Sequence, residues 1–229
     1  RAPVEGRKSA GPQGLQGNAP RSERERPQGR KGTPPRLDEG TQGVKQSGEV
    51  WVFAYGSLMW DPGFAYLEAA PALLRGYHRA LCIYSFVYRG TEERPGLVLG
   101  LDRGGACKGM AFRIAAAKGA GVLDTLDARE KVTDVYVRRA VPIAVGGMKV
   151  TAHTYVADRG HHQYAGKQTL RQAVLLIAQG TGVGGSNRDY LESTVKNLDA
   201  LGITDGPLHR LHALVWGIGG SIGAIRPLP

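Results

Sequence analysis

The sequence predicts an α+β domain, with strands first and helices last, and three observations lead there. Short apolar or alternating runs follow one another between residues 50 and 156, with gaps too short for crossover helices, so antiparallel pairing dominates. One helical pattern, over 118–130, interrupts them. Three amphipathic stripes then close the chain.

Trp51 to Tyr55 is short, continuous and apolar, the pattern of a buried strand. Residues 72–75 and 77–88 follow as strands, the second rich in Leu81, Cys82, Ile83, Tyr84, Phe86, Val87 and Tyr88. Leu97 to Leu101 is the next, and Gly104-Gly105 reads as a turn before a strand over 109–114. In the 118–130 helix Leu123, Leu126 and Glu130 share one face. Val135, Val137, Val141, Ile143 and Val145 form a strand that Gly146-Gly147 joins in a hairpin to Val150, Ala152, Thr154 and Val156. The helical stripes are Leu170/Val174/Ile177/Ala178, Leu191/Val195/Leu198 and Leu208/Leu211/Leu214/Val215. Ser186, three residues before Asp189, has the spacing of a capping box opening the second.

A chain of 229 residues holds one ordinary domain and tails. Residues 1–48 contain no Ile, Phe, Tyr or Trp and are dominated by Gly, Pro, Arg, Lys, Gln and Ser, which predicts a disordered basic tail. The domain is expected over 49–216, and the Gly- and Pro-rich 217–229 as a flexible end. The net charge is +10, and residues 1–50 carry ten Arg or Lys against six Asp or Glu. The excess is spread out, with no long basic helix or interleaved aromatics, so a solvated surface is favoured over nucleic-acid binding. Cys82 and Cys107 form no CxxC and sit in apolar contexts, a usage that suits a reducing compartment. No apolar run reaches the roughly 18 residues of a membrane span, and no signal-peptide core is present, so a cytoplasmic location is expected.

Two features carry chemistry. A strand ending in Ala54-Tyr55-Gly56-Ser57-Leu58 can form a nest of backbone N–H groups that holds a carboxylate or an amide carbonyl. A carboxylate on an apolar helix face, Glu130, is a candidate acid/base group, since burial raises its pKa toward neutrality. Taken singly, Glu130 also reads as a helix-end residue, exposed or paired with Arg129, and the turn as a strand terminus. Gly180-Thr181-Gly182-Val183-Gly184-Gly185 matches GxGxxG but follows a helix, so a flexible inter-helix loop is expected rather than a dinucleotide site. His153, His161 and His162 lack ligand partners at metal-binding spacing.

The surrounding motifs add to this pair. Trp51-Val52-Phe53, Arg75-Gly76-Tyr77 with Arg79, Arg89-Gly90-Thr91 and Pro95-Gly96-Leu97-Val98-Leu99 appear in that order. Gly109 to Arg113, Leu126 to Glu130 with Tyr136, and Gly185 to Leu191 follow. From Trp51 through Val215 the chain resembles the ChaC-like branch of the γ-glutamylcyclotransferases. The resemblance implies a mixed, partly closed β-barrel or sheet with flanking helices. It further implies cleavage of glutathione to 5-oxoproline and Cys-Gly, without metal or cofactor. It casts Glu130 as the general acid/base, Ala54, Tyr55, Gly56, Ser57 and Leu58 as the glutamyl-binding loop, and Tyr136 and Tyr190 as pocket residues. Where many relatives have Gly-Gly before the tyrosine, Asp134-Val135 precede Tyr136 here. Two other readings stand beside it: a cyclotransferase for γ-glutamylamines or γ-glutamyl amino acids, and a non-catalytic interaction protein whose basic tail binds an acidic partner.

Overall fold

The computed structural model describes residues 48–130 and 133–217. The expected tails at 1–48 and 217–229 fall outside these residues, apart from Gly48 and Gly217. In chain order the elements are β1 Val50–Ala54, a single 3₁₀ turn Ser57–Met59, β2 Glu68–Ser85, β3 Gly96–Ile114, α1 Ala116–Glu130, β4 Tyr136–Val145 and β5 Met148–Ala157. Then come α2 Leu170–Gln179, β6 Thr181–Gly182, β7 Gly185–Ser186, α3 Asn187–Ala200 and α4 Gly206–Gly217.

The five long strands close into a barrel in the order β1-β3-β2-β4-β5. Every neighbouring pair is antiparallel except the closing one, where Trp51 and Val52 of β1 lie parallel to Ala152 and His153 of β5. The expectation of a partly closed sheet thus becomes full closure through a short parallel seam, which removes an edge open to aggregation. The expected break between 72–75 and 77–88 is a register shift between Arg75 and Tyr77 inside one strand that ends at Ser85. Likewise, Gly104-Gly105 is no turn. Both glycines take positive φ (99° and 68°) within the 19-residue β3, and the strand bends there without ending. Long strands must coil to close a five-stranded barrel, so glycines that look like stops in the sequence act as bends.

β1 is apolar throughout because both of its faces are covered. Phe53 points into the barrel with Leu74, Leu101, Ala111, Ile143 and Val156. Val52 and Ala54 point the other way, with Leu99, Phe112 and Ile114, into a second core shared with α2, α3 and α4. Each buried Leu, Ile or Phe here is worth about 1.5–3 kcal/mol of transfer free energy. The helix stripes largely hold, but Leu170 and Leu214 are 39% and 38% exposed while Val174, Ile177, Leu208, Leu211 and Val215 are buried. Ser186 caps α3 by accepting from the Asp189 N–H at 3.0 Å. A full capping box occurs instead on α2, between Thr169 and Gln172. The GxGxxG segment is a small two-stranded ribbon, β6-β7, rather than an irregular loop.

Candidate active site

The end of β1 and the end of α1 meet at one small cavity of about 100 Å³. Its lining includes Ala54, Tyr55, Gly56, Ser57, Leu58, Glu130, Tyr136 and Tyr190, so every residue the resemblance assigns to the site lies around one space. Phe53, Leu99 and Tyr155 complete the wall.

The loop is shaped by its own backbone. The Gly56 carbonyl accepts from the Met59 N–H at 2.9 Å, and the Ser57 carbonyl accepts from the Trp60 and Asp61 N–H groups at 3.2 and 2.9 Å. The N–H groups of Ser57 and Leu58 therefore stand at the start of a helical turn without a partner inside it. Such donors can hold an anionic or carbonyl oxygen. Arg79 locks the loop from behind. Its side chain is 2% exposed, and it donates to the Tyr55 carbonyl (2.5 Å), the Lys108 carbonyl (2.7 Å) and the Asp205 carboxylate (2.9 Å). A buried guanidinium satisfied on three sides ties β1, β3 and the α3–α4 connection together.

Glu130 ends α1, and the last turn of that helix is fastened on several sides. Leu126 is buried in the core. The Asp127 carboxylate accepts from the Tyr155 hydroxyl of β5 at 2.7 Å and pairs with Arg138 of β4 at 3.3 Å. Arg129 donates to the Ser57 hydroxyl at 3.1 Å and approaches the Glu130 carboxylate at 3.7 Å. The pairing with Arg129 weighed against Glu130 in the sequence is thus present, yet the carboxylate still lines the cavity and its side chain is 21% exposed. Burial lifts the Glu130 carboxyl above the ordinary glutamate range, while Arg129 pulls it down.

Two tyrosines face this carboxylate and hold the same strand residue. The Tyr136 hydroxyl donates to the Leu99 carbonyl at 2.6 Å, and the Tyr190 hydroxyl accepts from the Leu99 N–H at 3.1 Å. Burial raises the pKa of Tyr55 and Tyr136 well above the usual tyrosine value and raises that of Tyr190, with Glu130 adding to each, so all three are neutral hydroxyls at physiological pH. Tyr136 follows Asp134, the one non-glycine residue with positive φ (54°) among those described, and the buried Val135. A left-handed backbone, which glycine adopts without steric cost, is held here by an aspartate.

Sequence reasoning missed Tyr155 because the alternation of β5 was followed on its barrel face, which Ala152 and Val156 share. Tyr155 is out of phase and reaches outward to α1. Asn187 was also missed. Fully buried, it accepts from the Leu97 N–H (2.6 Å) and donates to the Leu97 carbonyl (2.7 Å), replacing a missing strand partner.

Beside the small cavity lies a larger one of about 690 Å³, and Ser57, Glu130, Tyr136 and Tyr190 line both. Among the described residues no group of His, Cys, Asp or Glu is placed to hold a metal ion, and no helix is long and apolar enough to cross a membrane.

A closed mixed barrel with helices over one side presents a half-buried carboxylate to a backbone nest, and its fold is that of the γ-glutamylcyclotransferases. The comparisons with known proteins narrow the class. The family model for ChaC-like proteins matches residues 50–217, and the chain belongs to that family. It is 34% identical over 165 residues to the glutathione-specific γ-glutamylcyclotransferase of Escherichia coli K12, covering 72% of this chain and 71% of that one. It is 33% identical over 188 residues to the glutathione-specific enzyme of Schizosaccharomyces pombe, covering 72% of this chain and 91% of that one. Its fold is similar to the crystal structure of the yeast γ-glutamyl cyclotransferase specific to glutathione. The TM-score there is 0.67 at 21% identity, over 75% of this chain and 97% of that one.

Proposed function

We propose that this protein is a γ-glutamylcyclotransferase that cleaves glutathione to 5-oxoproline and Cys-Gly, with Glu130 as its general acid/base. The observation that supports this most is the place of Glu130: a carboxylate lifted by burial, at the junction of a small and a large cavity, in a chain of the ChaC-like family.

The γ-glutamyl head enters the small cavity. The Glu130 carboxylate takes a proton from the substrate's α-ammonium, and the freed amine attacks the γ-carbonyl carbon. A five-membered lactam closes. Negative charge gathers on the carbonyl oxygen, where the Ser57 and Leu58 N–H groups are oriented to receive it. The amide C–N bond then breaks, protonated Glu130 returns its proton to the departing nitrogen, and the ring nitrogen sheds its surplus proton to solvent as the released Cys-Gly amine takes one up. One carboxyl serves both transfers because its pKa is raised toward the working pH, a role worth about 10²–10⁴-fold in rate. Holding the glutamyl chain bent supplies proximity worth on the order of several kcal/mol. The two buried thiols, Cys82 and Cys107, suit a cytoplasmic setting.

Incubation of the purified chain with glutathione or with γ-glutamyl-alanine, followed by 5-oxoproline detection, tests the reading. Release from glutathione, well above that from γ-glutamyl-alanine, is the expected result. Preference for γ-glutamyl-alanine reassigns the substrate, and release from neither defeats the proposal.

A further inference from the structure

The chemistry at the glutamyl end leaves the larger cavity without a role. We infer that it seats the departing dipeptide and that the Arg89 guanidinium reads the substrate's C-terminal carboxylate. This rests on the cyclotransferase reading and adds the group that selects among γ-glutamyl compounds.

The cavity continues from the carboxylate where the amide bond would break, since Ser57, Glu130, Tyr136 and Tyr190 border both spaces. Arg89 lines only the larger one. Its Nη1 is fixed by donating to the Gly184 carbonyl, with the Ser186 carbonyl at 3.4 Å, and its Cζ lies 5.3 Å from the Tyr190 ring centroid. The β6-β7 ribbon thus holds the guanidinium over the ring that also borders the small cavity. Among the described residues no carboxylate forms an ion pair with Arg89. The other cation bordering the cavity, Arg129, is engaged by Ser57 and Glu130. Asp189 also lines the cavity, so an incoming carboxylate needs a cation to offset it, and Arg89 is the lining cation with no hydrogen bond or ion pair to another side chain among the described residues. A guanidinium held at one nitrogen, whose other donors make no hydrogen bond among the described residues, matches a carboxylate's paired oxygens. Phe86 and Val87 of the same lining offer apolar wall to an uncharged side chain.

The test compares kcat/KM for glutathione with that for its C-terminal carboxamide, in wild type, Arg89→Gln and Arg89→Lys. Wild type should lose roughly 10- to 100-fold on the carboxamide, mostly in KM, the usual worth of charge-assisted hydrogen bonds. Arg89→Gln should lose a similar factor on glutathione and almost nothing further on the carboxamide, and Arg89→Lys should recover part of it. A wild-type enzyme that treats both substrates alike overturns the inference without needing the variants to fold. So does an Arg89→Gln loss that is equal on both substrates, because that marks a purely structural tie to Gly184 and Ser186. If wild type releases 5-oxoproline from neither compound, the cyclotransferase reading itself fails, and this subsite with it.

Discussion

Tyr190 accepts a hydrogen bond from the Leu99 N–H at 3.1 Å, so its own hydroxyl hydrogen is not spent on that residue and can turn to the cavity or to the Thr194 side chain. Tyr136, on the other side of the same residue, has already given its hydrogen to the Leu99 carbonyl at 2.6 Å. Two side chains of one type, both facing Glu130, therefore offer the substrate different things.

Tyr190→Phe should lower kcat/KM for glutathione by about 5- to 20-fold, the worth of one donor to a substrate oxygen. Tyr136→Phe should act mainly on the fold, lowering Tm while changing kcat/KM by less than about 3-fold, because its hydroxyl satisfies a backbone carbonyl. Steady-state kinetics and thermal melts of both variants check the contrast, and equal kinetic losses would refute it.

A Cβ added at Gly56 would meet only Leu99 Cδ1, at 3.8 Å, which is ordinary contact. Gly56→Ala should therefore fold with little change in Tm yet lose activity, since the new methyl group enters the space the glutamyl group needs. Normal kinetics in this variant would show that the loop is a structural turn and not a binding surface.

The loop and Glu130 were legible in the sequence because each belongs to a local pattern, a strand running into a glycine turn and a carboxylate on a leucine face. Barrel closure was not. β1 pairs with β5 through only two residue pairs, and no local pattern announces so short a parallel seam. The same long-range assembly hid the contacts of Arg79 and Tyr155. Arg79 meets Tyr55 from 24 residues away and Asp205 from 126, and Tyr155 meets Asp127 only once α1 folds back on β5. Gly104-Gly105 misled because a glycine pair is compatible with a turn or with a bend, and only the pairing on either side decides.

Asp134 holds a left-handed backbone conformation that glycine adopts without steric cost. Asp134→Gly should leave the pocket wall in place and stabilise the fold by up to about 1 kcal/mol. A rise in Tm with unchanged kcat/KM is the expected outcome, and a fall in Tm would mean that the aspartate side chain contributes more than its backbone strain removes.

Burial sets the pH dependence. The Glu130 carboxyl must be ionised to accept the α-ammonium proton, and its pKa is raised from the ordinary 4.5. The acidic limb of kcat/KM should therefore fall at a higher pH than an exposed glutamate would give. The same shift acts on stability with a defined sign. Between the ordinary and the raised pKa the folded state binds more protons than the unfolded one, so stability drops as pH climbs through that window. Glu130→Gln removes this penalty, while the half-exposed contact to Arg129 contributes little. The variant should melt above wild type at neutral pH, and the gap should close in acid below the glutamate range. A variant less stable than wild type at pH 7 would contradict the burial argument.

The central claim is that Glu130 makes both proton transfers, and the most direct measurement is 5-oxoproline release from glutathione by Glu130→Gln at matched folded concentration. The substitution keeps the shape and removes the base. Release should fall by about 10²–10⁴-fold with an unchanged circular dichroism spectrum. Turnover within a few-fold of wild type, in a folded variant, would contradict the account.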